Sequence, residues 1–366
     1  VPPLKTVKIA AILITTILAS LTATYFVVFN KPVEPRHVTI KFSYQPSDHH
    51  LPAFIMLSKK WIESEAARLG YNVTVVEKPF PSGPPQVERF LAGDIDVMYV
   101  GAAPAISAVA KYLEAKQAGR SIPQAIIVAI AQYHGSALVL KPELKYAGPE
   151  SLIGKVIATY PPGSIQYTIM INWLQNNGLK PGDLGDPNAN IYIKPVSGPQ
   201  EQVELLSTGK VDAILTPSPT PEICEIKNIG KIAVSSGDMV LNHPCCVLAV
   251  SREFYEKYPD LAKLLVKLHV KAERYITENT VEAIEIGASK LSELWGYNIT
   301  FTRYVLMKVF TDNKTRIIFN PDPSRAENGL TMFVNAMYNM GLIKIKPEVN
   351  DLINKSIYSE IIKEGS

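Results

Sequence analysis

The feature that most constrains this chain is a stretch written twice. Phe90 to Ile106, FLAGDIDVMYVGAAPAI, fits a helix end, a buried strand and the start of a new helix into seventeen residues. Gly93 follows a helical run and suits the left-handed position that stops a helix. Asp94 and Asp96 bracket the turn, and Val97 to Val100 make a short apolar strand. Gly101-Ala102-Ala103-Pro104 then turns directly into a helix, with side chains small enough for backbone N–H groups to approach a ligand. The second copy is Leu205 to Ile223, LLSTGKVDAILTPSPTPEI, with Gly209, Asp212, a strand at Ala213 to Leu215 and a Pro-rich turn into a helix. Either copy alone is an ordinary unit of an α/β protein. Ligands of open α/β sheets sit beyond the carboxyl ends of the strands, so the pair predicts two α/β lobes facing one cleft.

The pattern of helix, G-x-[IV]-D-[VA], strand and small-residue turn resembles extracytoplasmic solute-binding proteins of the nitrate, sulfonate and taurine class, the receptors of ABC importers. The resemblance extends from about Val38 to about Tyr358. It implies a two-lobed periplasmic-binding-protein-like (type II) fold with a hinge of two crossing segments, and an ABC permease as partner. On this reading lobe 1 is residues 38–133 plus 245–366, and lobe 2 is residues 134–244.

Length and composition agree with that scale. The 366 residues suffice for two ordinary domains, and with 47% hydrophobic residues, 19% charged residues and a net charge of +3 nothing asks for nucleic acid as a partner. Three cysteines, Cys224, Cys245 and Cys246, fit neither a zinc framework nor a dense disulfide scaffold, so no metal site and no cofactor are expected. In an exported chain Cys224 is a disulfide candidate with Cys245 or Cys246; three buried thiols is the other reading. Asn-x-Ser/Thr triplets at Asn72, Asn298, Asn313 and Asn354 are glycosylation acceptors only on the outer side of a membrane.

Residues Ile9 to Phe29 are an uncharged run of about 21 residues, enough to cross a hydrocarbon core of roughly 30 Å. One long apolar N-terminal helix is expected over residues 1–30. Lys5 and Lys8 before it put the following chain outside the cell. A removed signal peptide is the alternative, but its apolar core is usually shorter, about 7–15 residues. The start at Val1 and the long apolar run resemble archaeal type IV pilin-like proteins. That resemblance implies self-association in a cell-surface filament; a plain membrane anchor is the alternative. Lys5 departs from the pattern, because bacterial pilins carry a glutamate there. Residues 31–37 read as a polar, Pro-bearing linker.

Val38, Ile40, Phe42 and Tyr44 alternate as a first strand, followed by Gln45-Pro-Ser-Asp-His-His50 and a long helix from Pro52 to about Leu69. In the resembled family the loop after this strand contacts ligand, which makes Gln45, Ser47, His49 and His50 candidates. Ser47 or Asp48 as helix caps is the plainer reading. Tyr71 to Lys78 is a second strand, and Ser82 and Gly83 in the stiff turn after it are candidates for a hydroxyl and a close backbone. Gly101 and Ala102 offer the turn amides of the repeated stretch. A strand at Ala125 to Ala131 leads to the first crossing, Gln132-Tyr133-His134-Gly135-Ser136, which adds Tyr133 to the candidates and gives Gly135 as the residue that absorbs rotation.

Leu152 to Thr159, then Gly163-Ser164 before a helix at Ile165 to Asn177, resembles the family's L-x-G-K-x-[VI]-A…G-S signature. Gly163 and Ser164 sit where orphan N–H groups favour an anion, and Gln166 one turn in can point to the same spot. Thr216 and Ser218 are expected to face outward from the second copy's turn. The chain returns through Leu241 to Cys245, and everything from Glu253 onward is mainly helical, packed on lobe 1. The sequence carries no nucleophile elbow, phosphate-binding loop or HExxH helix. The expected function is therefore a non-enzymatic receptor for a small polar or anionic solute at the extracellular face of the membrane. Two alternatives remain open: a pilin-like structural subunit, and an enzyme resembling the thiamine-pyrimidine synthase lineage, to which only Cys245-Cys246 and His243 correspond.

Overall fold

The computed structural model describes residues 35–364, so the apolar run Ile9 to Phe29 lies outside the described residues. The chain builds two mixed sheets. In the first, β1 (Arg36–Tyr44), β2 (Tyr71–Pro79), β3 (Val97–Gly101) and β4 (Ala125–Tyr133) are joined by a late strand, β11 (Pro244–Ser251), in the order β2-β1-β3-β11-β4. In the second, β5 (Ser136–Leu140), β6 (Val156–Thr159), β7 (Pro181–Gly182), β8 (Ile191–Pro195), β9 (Ala213–Pro217) and β10 (Lys231–Ser235) run in the order β10-β5-β9-β6-β8-β7.

Strand β1 pairs in parallel with β2 and β3, and β11 inserts antiparallel between β3 and β4. The alternation in β1 does what a period of two requires: Val38, Ile40, Phe42 and Tyr44 are all buried. Strand β4 is buried along its whole length, because β11 pairs beside it and helices cover it. Ile353 in the C-terminal segment bridges to Ile127 of β4, and the helix Pro259–Glu278 packs against Leu51–Ser58. Among the described residues no helix is long and apolar enough to cross a membrane.

The chain passes from the first sheet to the second between Tyr133 and Ser136. His134 and Gly135 take left-handed φ values of 59° and 85°, which turn the backbone sharply between two strands. The return runs from β10 through Ser236–Met239 to β11. A backbone hydrogen bond of 3.3 Å from His134 N–H to the His243 carbonyl ties the two crossings together.

Four local expectations need correction. The long helix after β1 is two helices, Leu51–Ser58 and Trp61–Arg68, because Lys60 is left-handed at φ 49° and breaks the ladder. The strand β1 starts at Arg36, so it absorbs the end of the linker assigned to residues 31–37. Only Val156–Thr159 of the run from Leu152 is strand; Pro149–Leu152 is a 3-10 turn. No disulfide forms: Cys224, Cys245 and Cys246 are all free thiols. Cys224 packs into a small core with Val139, Ile214 and Leu206, whereas Cys245 and Cys246 sit on β11 in the other sheet.

Candidate functional site

Where the sheets meet, a cavity of about 20 Å³ is lined from both sides. Gln45, Ser47, His49 and His50 enter from the loop after β1, Gly83, Gly101 and Pro104 from two helix starts of the first sheet, and Cys245 and Cys246 from β11. Tyr160, Ser164, Ile165, Gln166 and Pro217 close it from the second sheet. That volume holds little more than one water, so the lobes are closed on each other.

Three helices begin at this cavity: Gly83–Leu91, Ala102–Gln117 behind Gly101, and Ile165–Asn176 behind Ser164. Pro84, Pro85 and Pro104 carry no N–H and Ser164 takes that of Tyr167, so the first-turn donors without a partner inside the helix are Gly83, Ala102, Ala103, Ile165 and Gln166, each start also carrying the positive dipole end. The small residues matter for the approach. A Cβ on Gly101 would lie 2.9 Å from Ile165 Cγ1 across the cleft, and one on Gly83 would lie 2.3 Å from Pro104 Cγ. Ser164 uses its hydroxyl to accept from Tyr167 N–H at 3.2 Å, which leaves backbone rather than hydroxyl for a ligand.

The β1 loop supplies the polar lining. His50 Nδ1 accepts from Gln45 N–H at 2.7 Å, so its proton sits on Nε2, and that buried group has no protein partner. Burial, and then the neighbouring His49, hold His50 well below the ordinary imidazole range, so it is neutral. Gln45 Nε2 donates to Gln86 Oε1 at 2.8 Å, and Gln86 in turn donates to Ser43 Oγ and the Tyr99 carbonyl. Gln166 Nε2 donates to Ser136 Oγ at 3.1 Å.

His49 reaches further. Its Nε2–H donates to the Gly135 carbonyl at 2.7 Å, and its Nδ1 faces Cys245 Sγ at 3.6 Å. Burial alone would lower its pKa, but the charge of Cys245 and the hydrogen bond to it outweigh burial and raise it to about 9. Burial likewise pushes the Cys245 thiol up, yet the hydrogen bond from Cys246 and the charge of His49 hold it well below the usual thiol range.

A second polar cluster fastens the loop to the turn after β9. Ser47 Oγ donates to the Ser218 carbonyl at 2.6 Å, and Ser218 Oγ lies 2.8 Å from Asp48 Oδ2 and 3.3 Å from Glu222 Oε2. Burial raises both acids, and Glu222 is pushed up to about 8. Thr216 and Ser218, expected to face outward, are fully buried here, because the Pro-rich turn packs under the β1 loop rather than into solvent.

Of the sequence candidates, Gln45, Ser47, His49, His50, Gly83, Gly101, Ser164 and Gln166 come together at the cavity. Ser82 and Ala102 are buried beside it as helix-start residues, and Gly163 holds the preceding turn at φ 85°. Tyr133 lines a different cleft with His134, Asn242 and Arg325. Asn72, Asn298 and Asn313 are exposed; Asn298 caps a helix by accepting from Thr300 N–H, and half-buried Asn354 accepts from Ser356 and donates to Tyr255. Cys245 and Cys246, which the sequence did not mark as lining residues, line the cavity, as do Pro104 and Tyr160. Asp48 and Glu222 were missed as partners because they lie 174 residues apart. No local pattern joins them.

A sequence profile of the NMT1-like family matches residues 33–289. No curated protein matches. Among solved structures, the alkanesulfonate-binding protein SsuA from Xanthomonas axonopodis pv. citri bound to MOPS aligns over 88% of this chain and 99% of its own, with a TM-score of 0.66 and 16% identity. The periplasmic nitrate-binding protein NrtA from Synechocystis PCC 6803 aligns over 91% and 90%, with a TM-score of 0.70 and 14% identity. The aliphatic sulphonate-binding protein SsuA from Escherichia coli aligns over 86% and 92%, with a TM-score of 0.67 and 16% identity. At these identities the likeness is one of fold, the α/β periplasmic-binding-protein architecture of two sheets around a cleft. Since the profile spans well over half of the 366 residues, the chain belongs to the NMT1-like family.

Proposed function

We propose that the protein is a solute-binding component of an ABC importer that closes its two lobes on a small anionic or strongly hydrogen-bond-accepting solute. The observation that carries this reading is the lining of the interlobe cavity: three helix starts converge on it, and His50 adds a buried N–H donor with no protein partner. Such a site recognises an acceptor or anion through donors fixed in place. Arg and Lys are missing from the lining, so the counter-charge comes from backbone dipoles at the helix starts. The related folds bind alkanesulfonates and nitrate, which are solutes of this chemistry. The reading is that of a binding protein rather than an enzyme.

The closed lobes enclose too little space for a sulfonate, so loading requires the Ser47–Ser218 and Asp48–Ser218 contacts to open and the hinge at His134-Gly135 to rotate. Calorimetric titration of the full-length protein with nitrate, alkanesulfonates, taurine and neutral amino acids tests the reading. One-site binding confined to the anionic or zwitterionic members is expected; absence of binding across the panel contradicts it. The apolar run Ile9 to Phe29 holds the receptor at the outer membrane face or joins copies into a filament. Electron microscopy without detergent separates these, since filaments support self-association and dispersed particles leave the anchor.

A further inference from the structure

We propose that His49, Cys245 and Cys246 form a binding site for a thiophilic divalent cation of the zinc class at the floor of the cleft. Their donor atoms lie within 4.8 Å of one another: His49 Nδ1 to Cys245 Sγ is 3.6 Å, His49 Nδ1 to Cys246 Sγ is 3.9 Å, and Sγ to Sγ is 3.9 Å. Zinc bonds of about 2.3 Å to sulfur and about 2.0–2.1 Å to nitrogen, set at tetrahedral angles, place sulfur about 3.8 Å from sulfur and about 3.6 Å from nitrogen. The triangle of donors is already the size such an ion needs.

The support behind the donors points the same way. Nε2–H of His49 is anchored on the Gly135 carbonyl at 2.7 Å, which directs Nδ1 to the sulfurs; outer partners fix metal-bound imidazoles in this manner. The anchor depends on a glycine, because a Cβ at Gly135 would stand 2.5 Å from His49 Nε2. All three donors are at most 5% exposed, and adjacent cysteines on β11 both turn to one imidazole because of the irregular β11–β4 register at Pro244, Cys246 and Val247. Two thiolates and a neutral imidazole around a divalent ion sum to zero charge, which suits burial; a monovalent ion would leave a net negative charge. Binding releases two protons, one shared by the Cys245–His49 pair and one from Cys246. Three protein donors leave a fourth position, and since all three line the cavity, water or the captured solute fills it.

The site stands on these three side chains and not on the solute-binding reading, so each can fail alone. Reduced, metal-free full-length protein is titrated with Co²⁺ and then Zn²⁺. One equivalent of cobalt should give a thiolate-to-cobalt charge-transfer band that zinc abolishes. The C245S/C246S and H49Q variants should lose affinity by more than about 100-fold, beyond the cost of losing an outer partner. C224S should keep the band. If the double variant does not fold, C246S alone should show a weaker band than wild type. Reduced, folded protein that yields no such band, or a band unchanged in C246S and the double variant, overturns the proposal; the solute titration on the same samples reads the proposed function separately.

Discussion

The two copies of the repeated stretch share a scaffold and differ in what they do with it. In both, a glycine in the left-handed region ends a helix, Gly93 at φ 81° and Gly209 at φ 69°. In both, an aspartate before the strand accepts from a neighbouring strand's amide: Asp96 from Lys41 N–H at 2.8 Å, Asp212 from Val156 N–H at 2.9 Å. A buried glutamine from the preceding helix donates to the strand's middle carbonyl, Gln86 to Tyr99 and Gln202 to Leu215. The turns then part. After β3, Gly101 opens a helix of 16 residues whose start lines the cavity. After β9, Pro217-Ser218-Pro219 opens a helix of only 7 residues, and Ser218 is spent on Asp48 and Glu222. One turn brings bare backbone to the cavity, and the other, with a hydroxyl between prolines, fastens the two lobes together.

The largest expected effect comes from removing the bare backbone. Gly101→Val should clash with Ile165 when the lobes meet, and overpacking of about 1–3 kcal/mol against the closed form weakens solute affinity roughly ten- to hundredfold in calorimetry. Next are the shared glutamines. Gln86→Ala and Gln202→Ala should each cost about 1–3 kcal/mol through unsatisfied buried carbonyls, read from denaturant midpoints. A large cost at only one of them would break the equivalence of the copies.

Ser218→Ala should matter less, about 1 kcal/mol from a lost hydrogen bond, and should act on closure: small-angle scattering of the unliganded protein shifts toward the open form, while Ser164→Ala leaves it unchanged. pH dependence supplies the last test. Glu222 has a folded pKa raised to about 8, so the folded state holds a proton that the unfolded chain loses. Its contribution is complete below the unfolded carboxylate pKa and disappears as pH rises through about 8. Glu222→Gln should flatten that part of the stability curve relative to wild type, measured by urea unfolding across the range.

The scaffold was legible because periodicity and glycine placement are local signals. Alternation gave β1, the Gly-Asp pair gave the turns of both copies, and His134-Gly135 stood out as a crossing. The helix start at Ser164 and the loop Gln45 to His50 were also readable, since small and polar residues at strand ends mark where a cleft forms. The break at Lys60 was not, because nothing in Lys59-Lys60 forbids a helix; tertiary packing imposes it. Nor was the inward turn of Ser218, whose partner Asp48 is 170 residues away. Cys245 and Cys246 read as thiols in search of a disulfide, and only the fold shows that His49 is the group they face.

The measurement that tests the central claim most directly is thermal unfolding of full-length wild type and Gly101→Val with the same solute panel. For wild type at 100 times the dissociation constant, the bound solute should add about 2.7 kcal/mol of stability, and the variant, ten- to hundredfold weaker at the same concentration, should gain only about 0.4–1.4 kcal/mol. Equal stabilisation of both proteins would place the solute outside the cleft and contradict the account, as would a panel in which no small anion or zwitterion stabilises the wild type.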